Sequence, residues 1–389
     1  MKTFRIDQGA QARATFIGLA LLLTACQAGA PPPVARSSPA SRPAVVSTSP
    51  STPTPGAPVA AAGLARLIGQ RLIVAMDGPL ASPALLGRIR RGEIGGVILF
   101  GRNITTRAAL VALTRQLHLA ARSGGQPRFL IAVDQEGGSI KRIPWAPPTL
   151  SPPEMGRLGS TLIAAGQGAA TGRALAALGI DVDLAPVADV PISTSSFLER
   201  QGRIWSFSAS RTASLADAFA TGLESAGIVP ALKHFPGLGL ATENTDLRIV
   251  SIWATQTALL PGLLPYRTAI RHDIPLIMLS NATYPAYDAH SAAGWSPTIN
   301  TGLLRGALGF RGVTITDALD GTARARGLTT RHLAIRAAGA GTDLLLITGS
   351  EATSQGVFVA LMAAAAAGTI PIRGLSDSYA RILALKTGI

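Results

Sequence analysis

The sequence predicts an α/β fold, a single (β/α)₈ TIM barrel, and three observations lead there. Short apolar, β-branched runs alternate with Ala-, Leu- and Arg-rich stretches of helical length, the pattern of a parallel sheet covered on both faces. Eight such units occupy about 320 residues, the size of one barrel. Polar and ionisable residues gather where the apolar runs end, as they do on the carboxyl face of a barrel. A doubly wound open sheet is the competing architecture, but no Gly-x-Gly-x-x-Gly follows a first strand.

The chain opens with Lys2, Arg5 and Arg13 ahead of an apolar run, Phe16 to Leu23, and then Thr24-Ala25-Cys26. A basic segment, a short hydrophobic core and small residues before a cut make a secretory signal. The run falls short of the roughly 20 apolar residues of a membrane span. Cys26, the single cysteine of the 389 residues, stands where bacterial lipoproteins carry their lipidated residue, so residues 1–26 are expected to be a lipoprotein-type signal. A plain signal peptide cut near Ala28 or Ala30 is the alternative. Residues 27–62 are rich in Pro, Ser, Ala and Thr and cannot bury a core, so they are expected to be an extended tether.

The folded domain is expected over residues 63–389. Its strands are predicted at Leu72 to Ala75, Gly96 to Phe100, Phe129 to Val133, Val182 to Ala185, Ile228 to Leu232, Pro275 to Leu279, Gly312 to Ile315 and Asp343 to Ile347. Helical stretches include Ala108 to Ala121, Thr161 to Leu178, Ser214 to Ala226, Arg331 to Ala338 and a closing Leu375 to Leu385. Hydrophobic content is 47% with 14% charged and 5% aromatic residues, which fits a buried core of closely packed small side chains. The formal net charge is +14, but the cations are spread singly, without the clusters of a nucleic-acid binder. Nucleic acid is therefore not an expected partner, whereas an acidic polymer or an anionic membrane surface suits the charge.

At the strand ends stand Asp77, Arg102-Asn103, Asp134-Gln135-Glu136-Gly137-Gly138, Asp189, Lys233-His234, Asn281 and Asp317. The glycines after Asp134 allow tight backbone turns that hold an acidic pair at a pocket edge, and Arg142 is placed to pair with a carboxylate or a ligand hydroxyl. An Asp at such a place also serves as a simple turn cap. Lys233-His234 is followed by Phe235-Pro236-Gly237-Leu238-Gly239 and then Asn244-Thr245-Asp246. Asp317 ends the β-rich run Gly309 to Thr316, where a carboxylate acts as nucleophile or stabilises a developing cation. Asp320, beyond the turn, reads as a helix cap. His118, His272, His290 and His332 have no metal-ligand spacing, and there is no Gly-x-Ser-x-Gly or P-loop. No metal and no cofactor are expected.

Gly95 to Phe100 with Arg102-Asn103, the Asp134 to Arg142 stretch, Ala185-Pro186 with Asp189, Lys233 to Gly239 and Thr316 to Leu319 resemble, in order, glycoside hydrolase family 3. The likeness runs from Gly63 to the C-terminus and is strongest to the single-domain β-N-acetylglucosaminidases. The resemblance implies a TIM barrel, a retaining reaction with Asp317 as nucleophile, and Asp134, Arg142, Lys233 and His234 holding the sugar.

Four places depart from the family pattern. Its Asp-Ser-His, whose histidine is the acid/base, is here Asn244-Thr245-Asp246. Its Pro-Gly-His is Pro236-Gly237-Leu238, Trp205 stands where an Arg is usual with Arg203 two residues earlier, and Asn281 replaces a histidine. No role is carried onto Leu238, Trp205 or Asn281. Three readings of Asp246 stay open. It is a carboxylic acid doing the histidine's proton transfer, which needs burial to raise its pKa and about 5–5.5 Å to Asp317. Alternatively it is an exposed loop charge beside Glu243, or the site binds sugar and turns over slowly or transfers to another acceptor.

The expected function is an exported, lipid-anchored, monomeric glycoside hydrolase on the periplasmic side or cell surface. It would act on β-linked sugars, N-acetylglucosamine of cell-wall fragments first. A β-glucosidase or a transferase or phosphorylase of the same fold is the alternative, and a sugar-binding lipoprotein with a relic site is the alternative of another class.

Overall fold

The computed structural model describes residues 63–388. The expected signal at residues 1–26, with Cys26, and the expected tether at 27–62 lie outside the described residues. The eight predicted strands are all present: β1 Leu72–Ala75, β2 Gly96–Leu99, β3 Leu130–Val133, β4 Val182–Asp183, β5 Val229–Phe235, β6 Leu276–Leu279, β7 Val313–Thr316 and β8 Leu345–Ile347. Every neighbouring pair is parallel, in the order β7-β6-β5-β4-β3-β2-β1-β8. The two ends of the sheet meet where Ile315 pairs with Leu344. There Leu344 N–H donates to Thr314 O at 2.8 Å and Thr316 N–H to Leu344 O at 3.0 Å. The sheet is thus a closed barrel.

The side chains of each strand alternate between two apolar clusters, as the period of two requires. Ile73, Ala75, Ile98, Leu130, Ala132, Leu184, Ala231, Met278, Ile315 and Leu346 fill the barrel interior. Leu72, Val74, Val97, Leu99, Ile131, Val133, Leu232 and Leu279 face the surrounding helices. Both faces are apolar, which is why the strands read as unbroken hydrophobic runs.

Two differences from the predicted elements matter. Strand β5 continues past Leu232 through Lys233 and His234 to Phe235. Its pairing with β6 steps from Leu232–Ile277 to Phe235–Leu279, so β5 carries one extra residue, a bulge of the kind that re-aims side chains at strand ends. The helix Gln256–Arg271 lies outside the stretches named from the sequence and contains Pro261 and Pro265, residues that ordinarily interrupt a helix. Its Gly262 approaches the turn after β5, where a Cβ on Gly237 (φ 126°) would lie 3.3 Å from the Gly262 Cα.

The N-terminal face is sealed by the last helix, Ile372–Thr387. Lys386 is buried and donates to Gln70 Oε1 at 2.7 Å and Gly95 O at 2.8 Å. Asp343 is fully buried between Arg381 and Arg305, while Arg71 donates to its carbonyl at 3.1 Å.

Candidate active site

At the carboxyl end of the barrel a cavity of about 260 Å³ opens. Ile98, Leu184, Met278 and Leu346 form its apolar floor, and Asp134, Glu136, Arg142, Arg203, Lys233, His234, Asp246 and Asp317 stand among its walls. All six residues expected from the sequence to catalyse or to hold sugar, Asp134, Arg142, Lys233, His234, Asp246 and Asp317, therefore face one space. Among the described residues no group of three or more His, Cys, Asp and Glu is arranged to hold a metal.

Asp134 follows β3, and the hairpin Gln135–Gly137 with Ile140–Lys141 hangs from it. Gly137 (φ 98°) and Gly138 (φ 57°) make the turn, in a conformation that favours glycine. Buried Gln135 fastens the following loop, donating to Ile143 O at 3.0 Å and Pro147 O at 2.9 Å. The bulge in β5 then brings Lys233 Nζ within 2.9 Å of Asp134 Oδ1 and 2.6 Å of Glu136 Oε1. Arg203 grips Glu136 with both arms, Nη2 to Oε1 at 2.7 Å and Nε to Oε2 at 2.8 Å. Burial alone would raise Glu136, but Arg203 and Lys233 outweigh it and bring its pKa down to about 2. Arg142 lies 3.6 Å from Asp134 Oδ2, with its guanidinium over the Phe100 ring.

His234 is set by Asp189, which is fully buried. The Asp189 carboxylate accepts from the His234 main-chain N–H, from the Leu238 N–H, and from Nδ1 of the ring at 2.7 Å. A carboxylate on Nδ1 keeps the proton there and leaves Nε2 for the cavity. Beneath this network Asp183 is fully buried, one oxygen accepting from Gln135 N–H at 2.9 Å and the other without a partner. Burial lifts it to about 8, against the pull of the Gln135 hydrogen bond and Lys233, so it stays neutral at pH 7.

Asp317 follows β7, and its Oδ1 accepts the Ala318 N–H at 2.7 Å. The next carbonyl, Ala318 O, is held by Asn281 Nδ2 at 2.8 Å. Asp246 comes from the loop after β5. The Asn244 side chain accepts the Asp246 N–H at 2.9 Å, and Asn244 O accepts from Leu247 and Arg248. That tight turn seats Asp246 against Gly321, where an added Cβ would lie 2.8 Å from the Asp246 Cβ. Asp246 Oδ1 is buried without a partner. Burial first, and then the Asp317 charge, raise Asp246 to about 7, with His234 and Arg203 opposing. Asp246 is thus a wall of the cavity, while Glu243 beside it is exposed.

Sequence reasoning missed Glu136 and Arg203 as a pair. Glu136 stood among the strand-end residues, but only the long-range contact shows that Arg203 reaches it. Trp205 is core: its Nε1 donates to Val187 O at 2.8 Å and its ring packs edge-on to Phe219 at 5.9 Å. Asp320 is not the cap of its own helix; it accepts from Thr330 Oγ1 and the Thr348 N–H and ties the start of the helix Thr330–Gly339 to the loop after β8. Asp77 accepts the Glu351 N–H at 3.1 Å, and Asn103 donates to Gly78 O at 2.7 Å. These strand-end groups brace loops instead of lining the cavity.

The chain has relatives among known proteins. Residues 82–385 match the model of the glycosyl hydrolase family 3 N-terminal domain. An uncharacterised secreted glycosyl hydrolase from Arthroderma benhamiae is 34% identical over 338 residues, covering 85% of this chain and 95% of that protein. A family 3 β-N-acetylglucosaminidase structure from Paenibacillus sp. superimposes with a TM-score of 0.80 at 28% identity, over 84% of this chain and 63% of that one. A β-N-acetylhexosaminidase structure from Beutenbergia cavernae gives 0.77 at 31% identity, over 84% and 99%.

Proposed function

Because this chain belongs to glycosyl hydrolase family 3, we propose that it removes terminal β-linked N-acetylglucosamine by a retaining mechanism, with Asp317 as nucleophile and Asp246 as acid/base. The observation that carries the reading is the pairing of two unlike carboxyl groups in one cavity. Asp317 is steadied by a backbone N–H, and Asp246 is raised to about 7 by burial and by Asp317 itself. A carboxyl group held protonated by burial beside a second carboxyl group in one cavity makes an acid and a nucleophile.

In the first half-reaction an Asp317 oxygen bonds to the anomeric carbon while the bond to the glycosidic oxygen breaks. Asp246 gives its proton to that oxygen, and the leaving group departs as an alcohol. Asp246, now a carboxylate, takes a proton from water. The resulting hydroxide bonds to the anomeric carbon and the Asp317 ester bond breaks, which restores both groups and the original configuration. Asp134 would accept from vicinal hydroxyls, and Arg142, Lys233 and His234 would contact the others. Leaving such buried partners unmatched is costly, which selects for sugar.

The substrate class follows the β-N-acetylglucosaminidase from Paenibacillus and the β-N-acetylhexosaminidase from Beutenbergia, which this chain resembles. Export is supported by the secreted Arthroderma relative and by the signal pattern ending at Cys26, and we extend it to a lipid anchor at Cys26 with residues 27–62 as a tether. Cell-wall fragments carrying terminal N-acetylglucosamine would be the natural partners of an enzyme held there. The test is covalent trapping: a 2-fluoro glycoside should add its sugar mass to the peptide containing Asp317. Normal turnover of an aryl N-acetyl-β-glucosaminide without that adduct would remove Asp317 from the role.

A further inference from the structure

The loop that carries Asp246 continues into an apolar stripe. Leu247 is 69% exposed, Ile249 58% and Trp253 82%, whereas Val250 and Ile252 between them are 8% and 4% exposed. The alternation has a structural cause. Ser251 pairs in parallel with Thr283, and Ile252 N–H donates to Thr283 O while Thr283 N–H donates to Val250 O, each at 2.9 Å. Residues around 250–252 are therefore extended, with one row of side chains in the core and the other row outward.

Single exposed apolar residues are ordinary. Three large ones within seven residues of a loop that also supplies a wall of the cavity form a patch, and such patches mark binding surfaces. The stripe is joined to the site at both ends. Leu247 directly follows Asp246, and Thr283 lies two residues beyond Asn281, whose side chain holds the carbonyl of Ala318 next to Asp317.

If Asp246 donates the proton to the glycosidic oxygen, as the reading above has it, the leaving group lies on the Asp246 side, where this loop begins. We propose that Leu247, Ile249 and Trp253 form the leaving-group platform, which carries the apolar faces of an uncharged β-linked N-acetylglucosamine oligomer. The loop holds Glu243, Asp246 and a single cation, Arg248. That charge balance does not suit an anionic bilayer, which draws on clustered cations. It suits a neutral glycan, whose C–H faces rest on an indole and on aliphatic side chains while its hydroxyls stay wet.

The experiment compares wild type, Trp253→Ala and Trp253→Phe, in the full chain. The substrates are para-nitrophenyl N-acetyl-β-glucosaminide and β-linked N-acetylglucosamine dimers to pentamers. We expect wild-type kcat/KM to rise with chain length. Trp253→Ala should lower it about tenfold for the tetramer, mostly through KM, while the aryl substrate stays within about twofold and Trp253→Phe keeps most of the gain. Equal losses on both substrates, or no length dependence in wild type, would overturn the platform. So would an unchanged oligomer profile in Trp253→Ala with loss of binding to phosphatidylglycerol vesicles. Calorimetric oligomer affinity is measured in parallel with Asp317→Asn and its Trp253→Ala double variant, which separates this inference from the catalytic one. Should wild type cleave neither substrate, the Asp246 assignment fails, and a length-dependent affinity lost with Trp253 still supports the stripe as a glycan surface.

Discussion

Asp246→Asn is the substitution with the most to say. The side chain keeps its size and loses its proton, so the turn at Asn244 and the contact with Gly321 are retained. A positioned general acid contributes about 10²–10⁴-fold, and the need for it depends on the leaving group. The variant should therefore lose about that much on an oligomer or alkyl glycoside and far less on an aryl glycoside whose phenolate leaves unaided. The alkaline limb of kcat/KM, expected near the Asp246 pKa of about 7, should disappear on the aryl substrate. Stability supplies an independent reading. Asp246 is raised from its ordinary 3.8 to about 7 by burial and Asp317, so between those values the folded state binds more protons than the unfolded one. Stability then falls as pH rises through that window, and the penalty is complete above pH 7, with a ceiling of about 4 kcal/mol by linkage. Asp246→Asn should melt at the same temperature as wild type at pH 4 and a few degrees higher at pH 8. Equal losses on good and poor leaving groups, with an unmoved alkaline limb, would refute the acid role. An unchanged difference in melting temperature across pH would refute the buried geometry.

Three further outcomes follow from the same structure. Burial raises Glu136, but Arg203 and Lys233 hold it at about 2 against an ordinary 4.5, so its stabilisation is present above pH 4.5 and lost as pH falls toward 2. Glu136→Gln should flatten that part of an acid melt while costing about 3–5 kcal/mol at pH 7, where Arg203 loses its carboxylate and Lys233 keeps only Asp134. Gly321→Ala would place a methyl 2.8 Å from the Asp246 Cβ; we expect kcat to drop at least tenfold through displacement of the loop, with a melting temperature within a few degrees of wild type, and unchanged kcat would show that the loop yields freely. Cys26→Ala should move the protein from the membrane fraction to the soluble exported fraction, as judged by fractionation and by loss of lipid mass, and retention in the membrane would count against the anchor.

The barrel was legible because all eight strands are apolar on both faces, and an unbroken run such as Phe129 to Val133 has few other structural uses. What escaped the sequence depends on contacts between distant segments. Lys233 and His234 looked like residues after a strand because polarity ends the apolar pattern. The ladder runs on through them because the pocket, not the core, receives their side chains. Arg203 is two residues from the place where a guanidinium was sought, and nothing local tells that its fork meets Glu136, 67 positions earlier. For Asp246, the motif showed the place, whereas its burial depends on Gly321, which follows another strand. The helix with Pro261 and Pro265 shows a local rule overridden by packing on the core, where Leu259, Leu263 and Tyr266 are buried.

The closure of the barrel also bears on how the chain matures. Strand β1 pairs on one side with β2, a near neighbour in sequence, and on the other with β8, where Leu72 lies opposite Leu345. A chain crossing a membrane N-terminus first would present β1 with one bare edge until nearly the whole polypeptide has emerged. Such an edge invites pairing with other chains, and contacts of this sequence separation form slowly. The Ile372–Thr387 helix, with Lys386 bonded to Gln70 and Gly95 beside β1 and β2, then acts as the latch on the finished ring. Truncations that remove it would be expected to fail during biogenesis, before any question of catalysis arises.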